Sequence, residues 1–250
     1  MSVATALSQL RNRIGAALSH CNNALVMKGA EYANSIWEVG DRIDALQTQD
    51  NSALIGLIDG TASNIIIPDG TNIIKEYKFY RMFELISISI PNSVTEIQDY
   101  AFAYTNIKTI ELPVNLKSLG SCAFASTDLE SIKIPPGVTK ISSFLFQMAQ
   151  LQYADIPDSV ETIQYGAFAQ CNNLTSLILR RTSSITTLEN TYAFDSTGIS
   201  TQKGYIYVPQ SILTSYQNAT NWSVYASQFR VLEEYTIDGT INGELDNSKI

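Results

Sequence analysis

Hydrophobic and polar positions recur along this chain with a period of about 22 residues. Residues 90–103 read IPNSVTEIQDYAFA, and residues 156–169 read IPDSVETIQYGAFA. Prolines mark the register: Pro68, Pro91, Pro113, Pro135 and Pro157 are separated by 23, 22, 22 and 22 residues. Eleven residues after each stands a phenylalanine (Phe79, Phe102, Phe124, Phe146, Phe168), and six after each an aliphatic (Ile74, Ile97, Leu119, Ile141, Ile163). A further aliphatic precedes each proline: Ile67, Ile90, Leu112, Ile134 and Ile156. Four columns held in phase over five units predict a stack of coils, because so short a unit buries an apolar side only against its neighbours.

The path of one coil follows from residue types. The approach to the proline alternates, as in Leu85-x-x-Ile88-x-Ile90, Ile107-x-x-Ile110-x-Leu112 and Leu129-x-x-Ile132-x-Ile134, which predicts a short strand with one face inward. Proline ends the strand because it cannot donate to a ladder between coils. Turn formers follow (Asn92-Ser93, Pro136-Gly137, Asp158-Ser159). Val94, Val138 and Val160 then open a second inward stretch, and an Ala-Phe pair closes the coil, alanine allowing close approach and phenylalanine filling the interior. Departures are local. Lys78 and Thr71 replace alanine and valine in the first unit, while Leu145 and Ala154 exchange large for small in the fourth. After Phe168 the next phenylalanine, Phe194, comes 26 residues on, and Arg180-Arg181-Thr182-Ser183-Ser184 predicts a bulging loop.

The pattern L-x-x-I-x-I-P-x-x-V-x-x-I-x-x-x-A-F over residues 62–200 resembles the BspA-like class of leucine-rich repeats, found in bacterial surface proteins and in phage-encoded proteins. The resemblance implies an α+β fold: an N-terminal helical segment, a leucine-rich-repeat β-solenoid with a parallel sheet along one face, and a C-terminal cap of helix and strand. It also implies display and binding rather than catalysis.

The flanks divide the chain further. Val3, Leu7, Leu10, Ile14, Ala17, Cys21 and Ala24 are spaced 4, 3, 4, 3, 4, 3, a heptad seam. A second helical stretch, 31–46, carries Ile36, Val39, Ile43 and Leu46. Two readings stand side by side: a helical hairpin capping the solenoid, and self-association through the seam as a homo-oligomer, a trimer being one form. The opening SVATALSQLRNRIGAAL, with KGA and IDAL after it, resembles the N-terminal segment that precedes display domains in phage tail and fibre proteins. Near the other end, Tyr205–Pro209 reads as a last strand, SILTSYQNATNWSVYASQF as helical with Trp222 and Tyr225 free to cover the stack, and FRVLEE as a closing strand. The expected organisation is a helical attachment or oligomerisation segment (1–50), solenoid (51–200), cap (201–234) and a tail (235–250) that forms a loose hairpin or linker.

Composition narrows function. With 24 acidic against 16 basic residues the net charge is -8, which disfavours phosphate backbones, so no nucleic-acid partner is expected. The longest apolar runs, such as Ile65-Ile66-Ile67, are far too short for membrane insertion. The first residues lack a basic stretch followed by an apolar run, so no secretory signal is expected there. Cys21, Cys122 and Cys171 have no metal-binding spacing and read as buried thiols. His20, the single histidine, lies beside the heptad seam, which leaves no base for a catalytic triad. No calcium loop, P-loop or dinucleotide fingerprint occurs, and no metal or other cofactor is expected.

Outward strand positions form two columns: Ser87, Thr109, Ser131, Tyr153, Ser176 and Ser89, Glu111, Lys133, Asp155, Ile178. Glu111 and Asp155 fall two coils apart, about 10 Å, with Lys133 between them. That arrangement keeps both carboxylates ionised and reads as a register-fixing charge ladder rather than a glycosidase pair. The expected ligand-facing surface is therefore Thr109, Glu111, Ser131, Lys133, Tyr153 and Asp155. Tyr153 reads equally as a contact residue and as a cover for the small Ala154. The functional expectation is a non-enzymatic phage virion component, a tail, fibre or head-decorating protein that joins other virion proteins and binds a host-surface protein or polysaccharide. The alternative is a bacterial cell-surface adhesin, which requires an export route or wall anchor.

Overall fold

The structure, a computed structural model, describes residues 64–232 and the backbone of Thr236–Ile237 and Thr240–Ile241. The expected helices and the seam Val3, Leu7, Leu10, Ile14, Ala17 and Cys21 lie outside the described residues. Those described belong to one compact unit, Ser52–Ile250.

Coils contribute one strand to a first face and a two-residue strand to a second, with one exception on the first face. On the first face, β1 (Asn64–Ile66) pairs in parallel with β3 (Ser87–Ser89). A five-stranded parallel sheet then runs β6 (Ser131–Lys133), β8 (Tyr153–Ile156), β10 (Ser176–Leu179), β12 (Tyr205–Val208), β13 (Phe229–Val231). Its register aligns Lys133, Asp155, Ile178, Tyr207 and Arg230 in one column. The strand expected at 109–111 does not form, so the sheet is interrupted there. Ile110 is only half-buried where its counterpart Ile132 is buried. With less of this segment packed inward, only the bond from Glu130 N to Lys108 O (3.2 Å) ties it to the next coil.

The second face comprises β2 (Ile73–Ile74), β4 (Glu96–Ile97) and β5 (Ser118–Leu119), then β7 (Lys140–Ile141), β9 (Thr162–Ile163) and β11 (Thr187–Leu188). Rungs repeat from coil to coil: Gln98 N donates to Ile74 O (2.9 Å), Gly120 N to Ile97 O (2.7 Å) and Gln164 N to Ile141 O (2.9 Å). At the seam between β5 and β7 the Ser142 hydroxyl donates to Leu119 O in place of the amide.

The third edge of each coil is a tight turn centred on the phenylalanine. Backbone φ is positive two residues before it and two after: Tyr100 (55°) and Tyr104 (61°), Cys122 (56°) and Ser126 (56°), Phe144 (56°) and Met148 (60°), Gly166 (66°) and Gln170 (62°). A left-handed residue costs an L-amino acid about 1–2 kcal/mol. The cost is offset because the amides at these positions and at the phenylalanine can all point along the stack. Tyr104 N donates to Ala125 O (2.9 Å), Phe124 N to Leu145 O (3.0 Å), Ser126 N to Gln147 O (2.7 Å) and Met148 N to Ala169 O (2.9 Å). These donors face the following coil, whereas the second-face donors Gln98 N, Gly120 N and Gln164 N face the preceding one. Only Gly166 meets the left-handed requirement with glycine, and a Cβ there would lie 2.5 Å from the Phe144 ring.

Inside the turns the phenylalanine rings form one stack. Centroid separations from Phe79 through Phe102, Phe124, Phe146 and Phe168 to Phe194 are 5.1, 5.2, 5.9, 5.4 and 5.5 Å, with interplanar angles no larger than 18°. Phe194 keeps the spacing despite its 26-residue offset, so the extra residues are absorbed outside the core. Leu145 and Ala154 are both buried, which fits an exchange of volume within one layer.

The stack ends in side chains that imitate another coil. Beyond β12 come a short helix, α1 (Leu213–Asn218), a 3₁₀ turn (Ser223–Gln228) and β13. Trp222 and Tyr225 sit 5.8 and 5.7 Å from the Phe194 ring. Asn221 Nδ2 donates to Leu188 O (2.8 Å) and Trp222 Nε1 to Thr186 O (2.7 Å), taking the rungs that a further backbone would occupy. Tyr225 Oη donates to Thr191 O (3.0 Å), and Tyr216 Oη accepts from Thr186 N (2.8 Å). Further on, β14 (Thr236–Ile237) and β15 (Thr240–Ile241) pair antiparallel. Truncation at mid-stack tests this core: Phe124→Ala is expected to lower unfolding free energy by about 3–5 kcal/mol in a denaturant titration.

Candidate functional site

Strand geometry points alternate side chains outward, and the first face carries the expected columns with unequal exposure. Ser89, Thr109, Glu111, Ser131 and Lys133 are exposed and Tyr153 is half-buried. The structure places Thr109 and Glu111 beside the sheet interruption, not on a strand. Asp155 departs furthest from expectation: it is 3% exposed, as is Ser176, and Ile178 is fully buried. The register explains this shading. Ser176 lies between Tyr153 and Tyr205, and Ile178 between Asp155 and Tyr207, so long neighbours overhang short ones.

Asp155 is not a ligand-facing carboxylate but one half of an ion pair. Arg180 Nε and Nη2 donate to its two carboxylate oxygens at 2.6 and 3.0 Å. Arg180 emerges from β10 where other coils carry proline, and its guanidinium reaches back one coil. The expected ladder through Lys133 is therefore replaced: the charge on Asp155 is met by Arg180, which offers a planar fork that lysine lacks. The Tyr153 hydroxyl bonds within the same group. Burial, with Asp155 beside it, pushes the phenol up to about 12. Tyr153 thus serves the pair's enclosure, and its hydroxyl stays protonated at neutral pH.

Past this pair the face becomes aromatic. Tyr205 is 39% exposed, and the Arg230 guanidinium lies 4.2 Å from its ring centroid. Tyr207 stands edge-on to Tyr205 at 6.5 Å, and burial raises its phenol above the ordinary value. Arg230 Nη1 is pinned by the carbonyls of Ser227 (2.9 Å) and Phe229 (2.7 Å). Gln228, one position before β13, is 5% exposed and its Oε1 has no hydrogen-bond partner among the described residues, a cost of about 1–3 kcal/mol. Sequence reasoning missed this group because the repeat columns fade after residue 200. The alternation Tyr205-Ile206-Tyr207-Val208 carried the signal, since it continues the phase of Ser176-Leu177-Ile178-Leu179.

A family model described as the BspA type leucine rich repeat region matches in six copies over residues 59–175 and 140–240. The chain belongs to this family. A solved leucine-rich repeat protein from Bacteroides ovatus is 32% identical, covering 59% of this chain and 39% of that one, with a TM-score of 0.52. Another from Eubacterium ventriosum is 25% identical over 52% and 35% of the two chains, with a TM-score of 0.47. A leucine rich cell surface protein from Faecalibacterium prausnitzii is 20% identical over 71% and 61%, with a TM-score of 0.32. In each case the match spans less than two thirds of the other chain. No curated protein sequence matches.

In this BspA-type solenoid the reactive residue types are withdrawn from the face. Cys171 is fully buried with its thiol against Phe146 O, and burial pushes it up to about 12. Burial also raises the Cys122 thiol, so neither supplies a thiolate at neutral pH. Among the described residues no three His, Cys, Asp or Glu side chains cluster as a metal site would require. No described helix is long and apolar enough to cross a membrane. The arrangement offers hydroxyls, tyrosine rings and cations on a shallow surface. Arg180 is the test of its internal wiring: Arg180→Leu is expected to cost about 3–5 kcal/mol by stranding the buried Asp155 carboxylate. Adding Asp155→Leu in the same chain is expected to recover most of that loss in thermal and denaturant unfolding.

Proposed function

We propose that this BspA-type repeat protein is a non-enzymatic adhesion module at a bacterial cell surface, with its ligand held by the outward face of the first-face strands. One observation carries the reading: Ser89 before the interruption and Ser131, Lys133, Tyr205 and Arg230 after it are all exposed, the last four ordered by the register of one sheet. A repeating scaffold gives such a face area without a deep cleft, which suits recognition of an extended ligand. Membership of a repeat family used for display and binding supports the same role. The buried carboxylate of the face, Asp155, is bound at both oxygens by Arg180, which commits the group to the ion pair.

The virion reading places the same face on a particle. It rests on residues 1–46 and the seam from Val3 to Cys21, none of them among the described residues, and the bacterial-surface reading is preferred. Antibodies against the purified chain separate the two. Labelling of intact producing cells, reduced by brief protease treatment of those cells, is the expected result. Labelling only after lysis, or co-sedimentation of the chain with phage particles, would contradict a surface role.

A further inference from the structure

Charge on the C-terminal half of the face differs in sign from charge on the chain as a whole. The protein carries a net charge of -8. On the outward side of the five-stranded sheet, however, the one acidic side chain, Asp155, is neutralised by Arg180. Lys133 and Arg230 remain exposed at the two ends of a single column. They are four strand spacings apart, about 19 Å, and the rows between them hold Tyr153, Tyr205 and Tyr207.

Arg230 is built to hold a fixed direction. Its Nη1 is committed to Ser227 O and Phe229 O, and its plane lies against Tyr205 at 4.2 Å from the centroid. Its Nε and Nη2 have no hydrogen-bond partner among the described residues. A guanidinium fixed on one edge and open on the other loses little freedom when it meets a carboxylate. Tyrosine supplies a broad apolar ring with a polar tip at small entropic cost. From Ser131 to Arg230 the only exposed large apolar group on the face is Tyr205, so the face offers a tyrosine ring rather than aliphatic side chains.

We infer that this half of the face, centred on Tyr205, Tyr207 and Arg230, binds an acidic polysaccharide. Uronic-acid carboxylates meet Arg230 at one end and Lys133 at the other, and sugar rings lie on the tyrosines. The separation of the two cations calls for an oligosaccharide of several units rather than a single sugar. The inference rests on the face being the ligand side of an adhesion module, and it adds the chemistry of the ligand.

Calorimetric titration of the full chain with polygalacturonate, pullulan and poly-glutamate tests it. Polygalacturonate is expected to bind, with affinity falling as salt rises, while neutral pullulan and poly-glutamate bind at least about tenfold more weakly, a difference of about 1.4 kcal/mol. Arg230→Gln is expected to lose about tenfold with an unchanged melting temperature, and Lys133→Gln severalfold. Lys133, an exposed side chain with no hydrogen bond or ion pair among the described residues, serves as the readout if the Arg230 variant folds poorly. Equal binding by Lys133→Gln and a folded Arg230→Gln, poly-glutamate binding as tightly as polygalacturonate, or no binding of polygalacturonate would each overturn the assignment. Surface labelling of producing cells that persists in that event leaves the adhesion role standing, so the two failures are told apart.

Discussion

Everything in this solenoid depends on coils bonding to one another through their turns as well as through their strands. On the second strand face amides reach back to the preceding coil, as Gln164 N does to Ile141 O. On the first face they reach both ways, Arg180 N back to Ile156 O and Ile134 N forward to Asp155 O. At the phenylalanine edge alternate amides reach forward, as Phe146 N does to Ala167 O, and those between them close the turn within the coil, as Leu145 N does to Ser142 O. An internal coil therefore donates to and accepts from both neighbours, and the left-handed residues flanking each phenylalanine make the forward set possible. The ring stack follows from the same constraint. Turns held one backbone spacing apart, about 4.8 Å, bring the rings to 5.1–5.9 Å with nearly parallel planes.

The C-terminal end shows what such a stack requires where it stops. Its last carbonyls at Thr186 and Leu188 would be stripped of partners, and the last ring would face water. Trp222 and Asn221 meet both needs at once, the indole as donor and as lid, the amide as a false rung. Because the cap presents β12 and β13 in the same register as the coils, it also extends the outward face. The residues that terminate the core are thus continuous with those that carry the candidate site.

Much of the fold was legible in the sequence because apolar columns translate directly into burial. The proline and phenylalanine spacing gave period, inward faces and order of coils, and the small-for-large exchange at Leu145 and Ala154 was visible as such. The left-handed turns were hidden. Eleven of them flank the phenylalanines and only Gly166 among these betrays itself by residue type, because the conformation is imposed by bonding between coils rather than by local preference. The interruption at 109–111 was hidden for a similar reason, since the same residue types occur in coils that keep their strand. At the site, Lys133 and Asp155 were placed in one column correctly, but the partner of Asp155 was not. Arg180 stands where a proline was expected, and reading it as loop concealed a side chain able to reach back one coil. Tyr205, Tyr207 and Arg230 escaped notice because they follow the last repeated column.

The turn amides offer the most direct measurement. Ser126 and Met148 lie at surface turns, where an ordinary loop amide exchanges with solvent on its own. If the turns are interlocked as described, hydrogen exchange at Ser126 N and Met148 N requires the stack to open, and both amides are protected as strongly as those of the buried strands. Exchange at these two positions at the rate of a free loop, with the strands still protected, would contradict the account.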